Sequence, residues 1–535
     1  MANKNKKSTL VVAIVAALAV VAAAAVFFLW QREPEGLVVG ISTLPDSLNP
    51  ILEQNTSGMN AAELVFDGLV NFEVDVASGQ MNSELALAES ITQDPATKTT
   101  YTAVLRDVKW HDGTPVTAAD VEYSFAAYIE PDNKSPKREY LNSFISSVKA
   151  VDDKTVTIEF RKPIPEFRAI PVLTFKIIPS TYKKAKLAVK MHTGDNERAF
   201  ATAPVGSGPF VFDTWEIGKW LTFKANPNYF RHAPKTASLV LRKIIDPVIR
   251  LNEFRQARIN LILETSPLDR PDVEKMGNVK FSSFLPYAFY QLEINTKVPA
   301  FAKADARYAL SAPVDRKLLV PGITDRDDLA IINNGPFPSN LFARNFAEYN
   351  VPPFADAHAF NLDEATKLAE SSGLKGKSAV LLFPDSLGTF GQKMADSLVA
   401  QYAKIGLTVE AKRTGDQVFH RLVFQEKTYD LALVYAEGFD NVYSDVAQWY
   451  RTGGPLNVTG VADPALDALF HQWDGTVVAT DWINLTRKIH DAVEVLSPAV
   501  PLVSIKKDVY SRAINNVVIA SDNPFLSVEE WAQVK

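Results

Sequence analysis

Apolar and polar positions follow two different periods along this chain, and the two periods succeed each other repeatedly. Short alternating or apolar runs, such as Leu37–Ser42 and Lys154–Phe160, predict half-buried or buried strands. Apolar positions spaced three and four residues apart predict helices at Met59–Val70, Thr117–Tyr128 and Ile483–Leu496. Because strands and helices alternate throughout the chain, the pattern predicts an α/β fold.

The same periods predict three further elements in the second half of the chain. They are a helix at Ala306–Leu319 and strands at Asp430–Tyr435 and Val500–Ile505. Thr117 precedes Asp120 by three residues, a spacing close to that of a capping box, so it is expected to begin its helix.

One apolar stretch differs from all the others in length. Leu10–Trp30 is an uninterrupted apolar run of 21 residues that follows Lys4, Lys6 and Lys7. The core of a cleaved signal is usually ~7–15 residues long, whereas a spanning helix needs ~20. We therefore expect residues 1–32 to be either an N-terminal anchor in the inner membrane or a cleaved export signal. Both place the rest of the chain in the periplasm or its extracytoplasmic equivalent.

Composition narrows the class of protein. The chain has 535 residues, 47% of them apolar and 22% charged, which is ordinary for a globular protein able to bury a large core. It has no cysteine, which excludes disulfides, thiol chemistry and lipid attachment through an N-terminal cysteine. The net charge is −6, and residues 1–32 carry four basic side chains and no acid. The acidic remainder argues against nucleic acid as a partner.

Motifs for catalysis are absent from the sequence. The seven histidines form no HExxH motif or other close pair with metal-ligand spacing, and there is no P-loop or dinucleotide fingerprint. Gly206-Ser207-Gly208 lacks the pattern of a nucleophile elbow. His111-Asp112-Gly113 is better explained as a turn than as an acid/base pair. We therefore expect no catalytic residue, no metal site and no cofactor, which favours a binding protein.

Five segments, in order, resemble one known family. They are 37–73 (LVVGISTLPDSLNPILEQNTSGMNAAELVFDGLVNFE), 105–125 (LRDVKWHDGTPVTAADVEYSF), 203–230 (APVGSGPFVFDTWEIGKWLTFKANPNYF), 294–320 (INTKVPAFAKADARYALSAPVDRKLLV), and the pair AQYAKIGLTVE and TYDLALVYAEGFD. Together they resemble the family 5 extracellular solute-binding proteins, the dipeptide/oligopeptide-binding type of ABC importers. Asn49, Ser207 and Phe210 depart from the usual residues of that pattern.

Most residues of these motifs are expected to be structural. Asp112-Gly113 would make a turn, and Gly206 and Gly208 would allow backbone torsions that other residues avoid. Arg307 and the pair Asp315-Arg316 are expected to form ion pairs at a helix end.

The resemblance implies a two-lobed periplasmic-binding-protein fold of class II type, with a hinge between the lobes and an extra inserted domain. Mapped onto this chain, lobe I would be 37–72, 195–285 and 500–535, the inserted domain 73–194, and lobe II 286–499. A solute bound between the lobes would stabilise the closed form. The closed monomer would then dock on the transmembrane subunits of an ABC permease.

The resemblance also points to a ligand-binding loop after the strand Asp430–Tyr435. In peptide-binding relatives an aspartate of this loop pairs with the α-amino group of the ligand, and Asp440 is the matching residue, with Asp445 as the alternative register. A carboxylate suits an ammonium in a water-poor cleft. Val446 follows Asp445 where relatives have proline, so this loop departs from the pattern of the peptide-binding relatives at that position.

Four other residues are candidate ligand contacts. Trp449 and Tyr435 could supply flat apolar walls, although packing in the core is an equal alternative for each. Glu53 lies in the loop after the first strand, and Arg451 could meet a carboxylate of the ligand.

Several functions remain open at this point. The leading one is an ABC-importer receptor for a small solute, most simply a peptide, but an oligosaccharide, a nickel chelate or an opine-like compound would fit the same family. The alternatives are an extracytoplasmic hydrolase and an anchored sensor or chaperone on the same scaffold.

Overall fold

The computed structural model describes residues 34–53, 55–263, 265–266, 269–319, 328–341, 351–354, 359–436 and 442–534, with the backbone alone for 442–445. The apolar run Leu10–Trp30 lies outside these ranges. Within them, no helix is both long enough and apolar enough to cross a membrane.

The strands are, in chain order, β1 (Leu37–Ile41), β2 (Val70–Val74), β3 (Met81–Leu85), β4 (Ala88–Gln93), β5 (Thr100–Leu105), β6 (Ile145–Ala150), β7 (Thr155–Phe160), β8 (Thr181–Tyr182), β9 (Ala185–Lys186), β10 (Phe210–Glu216), β11 (Trp220–Ala225), β12 (Ser238–Lys243), β13 (Leu261–Ile262), β14 (Lys280–Phe284), β15 (Phe289–Ile294), β16 (Ala330–Ile332), β17 (Ser378–Pro384), β18 (Thr408–Thr414), β19 (Leu431–Ala436), β20 (Ala499–Ile505), β21 (Lys507–Ser511), β22 (Ile514–Asn515) and β23 (Ala532–Gln533).

The α-helices of the same ranges are α1 (Thr56–Val65), α2 (Ala118–Ile129), α3 (Arg138–Phe144), α4 (Glu166–Val172), α5 (Asp195–Thr202), α6 (Pro247–Arg255), α7 (Arg270–Glu274), α8 (Ala304–Ser311), α9 (Leu362–Ser371), α10 (Gly388–Ala403), α11 (Asp416–His420), α12 (Val442–Tyr450), α13 (Pro464–Gly475) and α14 (Ala479–Leu496).

Two large sheets define two lobes. The first has seven strands in the order β10-β11-β12-β1-β13-β21-β14, with β1 parallel to both of its neighbours. The second has six strands in the order β16-β20-β15-β19-β17-β18. The second sheet separates two apolar clusters, one built around Trp473 and Trp482 and the other around Leu398 and Tyr402.

A smaller domain is inserted into the first lobe. Its sheet has the order β4-β5-β7-β6, with α2 packed against β6 and β7. Its core is continuous with that of the first lobe, because one cluster of buried side chains runs from Leu37 and Leu239 to Tyr101 and Phe160. The inserted domain and the first lobe are therefore expected to move as one body.

The two lobes are joined by two short crossovers. Residues 285–288 lead from β14 in the first sheet to β15 in the second, and Lys506 alone leads back from β20 to β21. The expected boundary at residue 500 is therefore wrong. The run Val500–Ile505 alternates like any buried strand, and only its pairing with β15 and β16 shows that it belongs to the second lobe.

Three predicted elements are corrected by the structure. The helix expected at Met59–Val70 is Thr56–Val65, because the side chain of Asn55 caps it and the chain turns extended at Phe66. The helix expected at Ala306–Leu319 ends at Ser311, shortly before Pro313, whose ring cannot continue it. The stretch expected as a loop after β19 contains the helix α12.

The residues of the second motif segment are structural in the way expected, whereas Arg307 differs from its expectation. Thr117 and Asp120 form a capping box, and Gly113 turns with a positive φ of +87° beside Asp112. Arg307, expected in an ion pair, instead donates to the carbonyls of Leu496 and Phe301 at 3.0 and 2.9 Å. Leu496 ends α14, where carbonyl groups lack partners within the helix, so the guanidinium caps that end.

Asp67 links two of the motif segments, 37–73 and 203–230. This fully buried carboxylate accepts from the Ser207 hydroxyl at 2.8 Å, the Tyr229 hydroxyl at 2.9 Å and the Asn71 amide at 2.8 Å. Gly206 packs directly against the backbone of Val65. It can do so only because it has no side chain, since a Cβ there would lie 1.8 Å from the carbonyl oxygen of Val65. The residues Ser207 and Tyr229 of the third segment are thus brought to the first segment by hydrogen bonds to one buried side chain.

Candidate functional site

A large cavity of the described residues, hereafter the main cavity, lies against both crossovers. Its volume is about 910 Å³. The first lobe contributes one face of α1 at helical spacing, Thr56, Met59, Asn60 and Glu63, together with Ile41 at the carboxyl end of β1. Carboxyl ends of parallel strands are where α/β sheets bind ligands. The cavity therefore has the position expected of a solute site.

The crossovers and the inserted domain supply the other walls. Phe284 directly precedes the first crossover, Tyr287 lies within it, and Lys507 directly follows the second. The inserted domain contributes Tyr128, Lys137, Thr174 and Lys176. A movement at the crossovers would therefore change the shape of this cavity directly.

Charged groups in the main cavity are mostly paired. The ammonium of Lys176, which is almost fully buried, lies 2.5 Å from a carboxylate oxygen of Glu63 and also donates to Asn71. Lys507 pairs with Asp522. Lys137 has a lowered pKa, because burial disfavours its ammonium and Lys176 adds a like charge, while Glu63 acts in the opposite direction.

Tyr435 lies close to one wall of the main cavity. Its ring packs on that of Tyr290, with centroids 4.9 Å apart, and the Nζ atom of Lys507 is 5.8 Å from its centroid. Because Lys507 lines the cavity, Tyr435 connects β19 of the second lobe to that wall. Its contact with a ligand stays a prediction.

Glu53 organises the loop after β1. It is buried, and its two carboxylate oxygens accept the backbone N–H groups of Ser47 and Asn55, each at 2.8 Å. Gly58 makes room for it, because a Cβ there would lie 2.1 Å from the carboxyl carbon. The geometry gives Glu53 a structural task, and it does not line the main cavity.

The predicted ligand loop is only partly described. Asp440 lies outside the described residues, and Asp445 lies on α12, where only its backbone is described. Trp449, on the same helix, is buried in the core of the second lobe with its ring edge-on to Phe424 at 6.3 Å. This favours the packing alternative for Trp449, and the ligand contacts of the two aspartates stay predictions.

Arg451 lies at a second, smaller cavity between the inserted domain and the second lobe. This cavity has a volume of about 360 Å³ and is lined by Phe144, Phe160 and Ile164 on one side and Gln448, Arg451 and Asp474 on the other. Arg451 pairs with Asp474 at 2.7 Å and lies over the ring of Phe470. It is therefore separate from the main cavity, which its side chain does not line.

Sequence reasoning missed the charged residues of the main cavity. Glu63 and Lys176 each interrupt an apolar run, in AAELVF and LTFKIIP, and a charge in such a run is a signal for a buried pair. Lys137 stands in the polar segment SPKREY, which carries no comparable signal.

The chain is similar to proteins of one family over most of its length. Residues 83–456 match the model of bacterial extracellular solute-binding proteins, family 5 Middle. "Probable D,D-dipeptide-binding periplasmic protein DdpA" of Escherichia coli is 24% identical over 492 residues, which cover 90% of each chain.

Solved structures share the fold. The ABC transporter substrate-binding protein CtaP of Listeria monocytogenes superposes with a TM-score of 0.81 at 22% identity, covering 94% of this chain and all of that one. The oligopeptide-binding protein AppA of Bacillus subtilis, solved with a nonapeptide, has a TM-score of 0.71 at 19% identity, with coverage of 94% and 100%. The family match, the two lobes and the cavity at their crossovers agree: this chain belongs to the bacterial extracellular solute-binding proteins of family 5.

Proposed function

We propose that this protein is the solute receptor of an ABC importer and that it captures a small peptide outside the cytoplasm for delivery to the permease. The observation that carries the proposal is the 910 Å³ cavity against both crossovers. Its volume lies near the upper end of the ~300–1,000 Å³ typical of small-molecule sites. Hinge closure would enclose a solute there, and docking of the closed form needs no bond to be made or broken.

Peptide as the ligand is supported by relatives rather than by the cavity alone. DdpA is named for D,D-dipeptides, and AppA was solved with a nonapeptide. Asp440, or Asp445 in the alternative register, would hold the α-amino group. Tyr435 would provide an apolar wall beside it.

Capture without chemistry is the better of the competing functions. Among the described residues, the two carboxylates that line the main cavity, Glu63 and Asp522, are each paired with a lysine. A carboxylate occupied by such a pair is not presented to a solute as a free acid or base, which suits capture more than catalysis. Residues 10–30 would keep the receptor at the outer face of the inner membrane, unless they are removed on export.

Thermal unfolding in the presence of peptide and oligosaccharide libraries tests the proposal. A ligand at ~100 times its Kd stabilises the folded protein by about 2.7 kcal/mol, so a bound peptide should raise Tm measurably. Stabilisation by sugars alone, or hydrolysis of a library member, would contradict a peptide receptor. Asp440→Ala, with Asp445→Ala as its matched partner, should show which aspartate a free α-amino group needs.

A further inference from the structure

Three lysines reach the main cavity from three parts of the fold. Lys507 comes from the start of β21, Lys176 from the segment after α4, and Lys137 from the residue before α3. Among the described residues, the acids that line the cavity are Glu63 and Asp522, and each of them already holds one lysine. The described lining side chains therefore carry one positive charge that none of these acids balances.

The unbalanced charge belongs to Lys137. Its side chain is half-buried, and within the described ranges its ammonium makes no ion pair and donates no hydrogen bond, unlike those of Lys176 and Lys507. Burial and the nearby Lys176 both disfavour its charged form, as its lowered pKa indicates. A desolvated ammonium with three donors and no acceptor is costly, and an anionic group placed beside it would offset that cost.

We propose that Lys137 binds a carboxylate of the captured solute, which narrows the ligand class to solutes that carry a free carboxylate. This inference rests on the proposed function. Lys137 lies in the inserted domain, which shares its core with the first lobe. The carboxylate of the solute would therefore be held on the first of the two bodies.

The experiment compares two peptide libraries that differ only at the C-terminus. Di- to pentapeptides with a free C-terminal carboxylate and the same peptides as C-terminal amides are titrated against wild type, Lys137→Met and Lys137→Arg. A hydrogen bond to a charged group contributes about 1.5–3 kcal/mol, so the wild type should bind free acids about ten- to a hundredfold more tightly than amides. Lys137→Met should abolish this preference, and Lys137→Arg should keep most of it.

Lys186→Met is the matched control, because Lys186 is an exposed lysine of the same domain and does not line the cavity. It should behave as the wild type. Equal affinity of the wild type for acids and amides, or an unchanged preference in Lys137→Met, would overturn the role of Lys137 while leaving a peptide receptor intact. Binding of neither library would overturn the proposed function, and with it the inference.

Discussion

Arg168 of the inserted domain donates a hydrogen bond from its guanidinium to the backbone carbonyl of Asp474 in the second lobe, at 3.1 Å. Asp474 lies in the last turn of α13, where carbonyl groups lack partners within the helix and the dipole favours a cation. Because the inserted domain shares its core with the first lobe, this bond joins the first body to the second lobe. An opening that separates the two bodies is expected to break it.

Replacing Arg168 should therefore weaken the closed form. We expect Arg168→Ala to raise the Kd for the solute about tenfold or more, mainly through faster dissociation, because a bond to a charged group contributes about 1.5–3 kcal/mol and this one is expected to stabilise the closed form alone. Stopped-flow fluorescence measures the dissociation rate. Arg161→Ala is the control, since Arg161 is exposed and bonds to Asn142 within the inserted domain. Equal rates in both variants would contradict a role in closure.

The Asp67 network predicts a large stability effect from one hydroxyl. Ser207→Ala should lower the free energy of unfolding by about 1–3 kcal/mol, because it leaves a buried carboxylate oxygen without that donor. Ser146→Ala, which removes an exposed hydroxyl bonded to the Glu159 carbonyl, should change it by less than about 0.5 kcal/mol. Urea denaturation of both variants makes the comparison, and similar losses would rule out the proposed importance of the network.

Glu293 predicts an unusual dependence of stability on pH. This side chain is buried in β15, and burial raises its pKa to about 8, although a hydrogen bond from Gln291 acts in the opposite direction. The unfolded chain, with an ordinary pKa of about 4.5, loses the proton first. The contribution of Glu293 to stability is therefore fully present below pH ~4.5 and is lost as the pH rises to ~8.

Glu293→Gln tests this directly. Between pH 5 and pH 8 the wild type should lose several kcal/mol of unfolding free energy that the variant keeps, on the order of 4 kcal/mol if the whole shift is realised. Urea unfolding of both proteins at the two pH values measures the difference. Parallel pH profiles of the two proteins would show that Glu293 does not titrate in this range.

The N-terminal run predicts where the protein is found in the cell. With residues 10–30 retained, it should fractionate with the inner membrane and have the mass of the full chain; after cleavage, it should be soluble outside the membrane with a shortened N-terminus. Intact-mass measurement of each fraction separates the two. An uncleaved chain in the cytoplasm would contradict both expectations.

Much of the fold could be predicted because local rules specify it. The capping box at Thr117 and the turn at Gly113 depend on neighbours in sequence, and both were predicted correctly. The helix α12 was missed because Gly438 and the polar residues that precede the helix indicate a loop. The strand β20 was assigned to the wrong lobe because the sequence of a strand does not specify which strand it pairs with.

The site was harder to predict than the fold. Trp449 and Glu53 were chosen by residue type and position, yet their surroundings are a core and a loop that the sequence does not display. The charges of the main cavity come from distant segments, such as Glu63 and Lys176, and only the packed chain brings them together. The chemical character of each residue can therefore be predicted from this sequence, but which residues the fold brings together cannot.

Native mass spectrometry in a competition experiment tests the central claim most directly. The protein is incubated with an equimolar mixture of short peptides, maltooligosaccharides, nickel–histidine complexes and opine-like acids, and the mass of the bound solute is read from the intact complex. The account predicts one bound molecule per chain, with the mass of a peptide. A bound mass that belongs to any other class would contradict it.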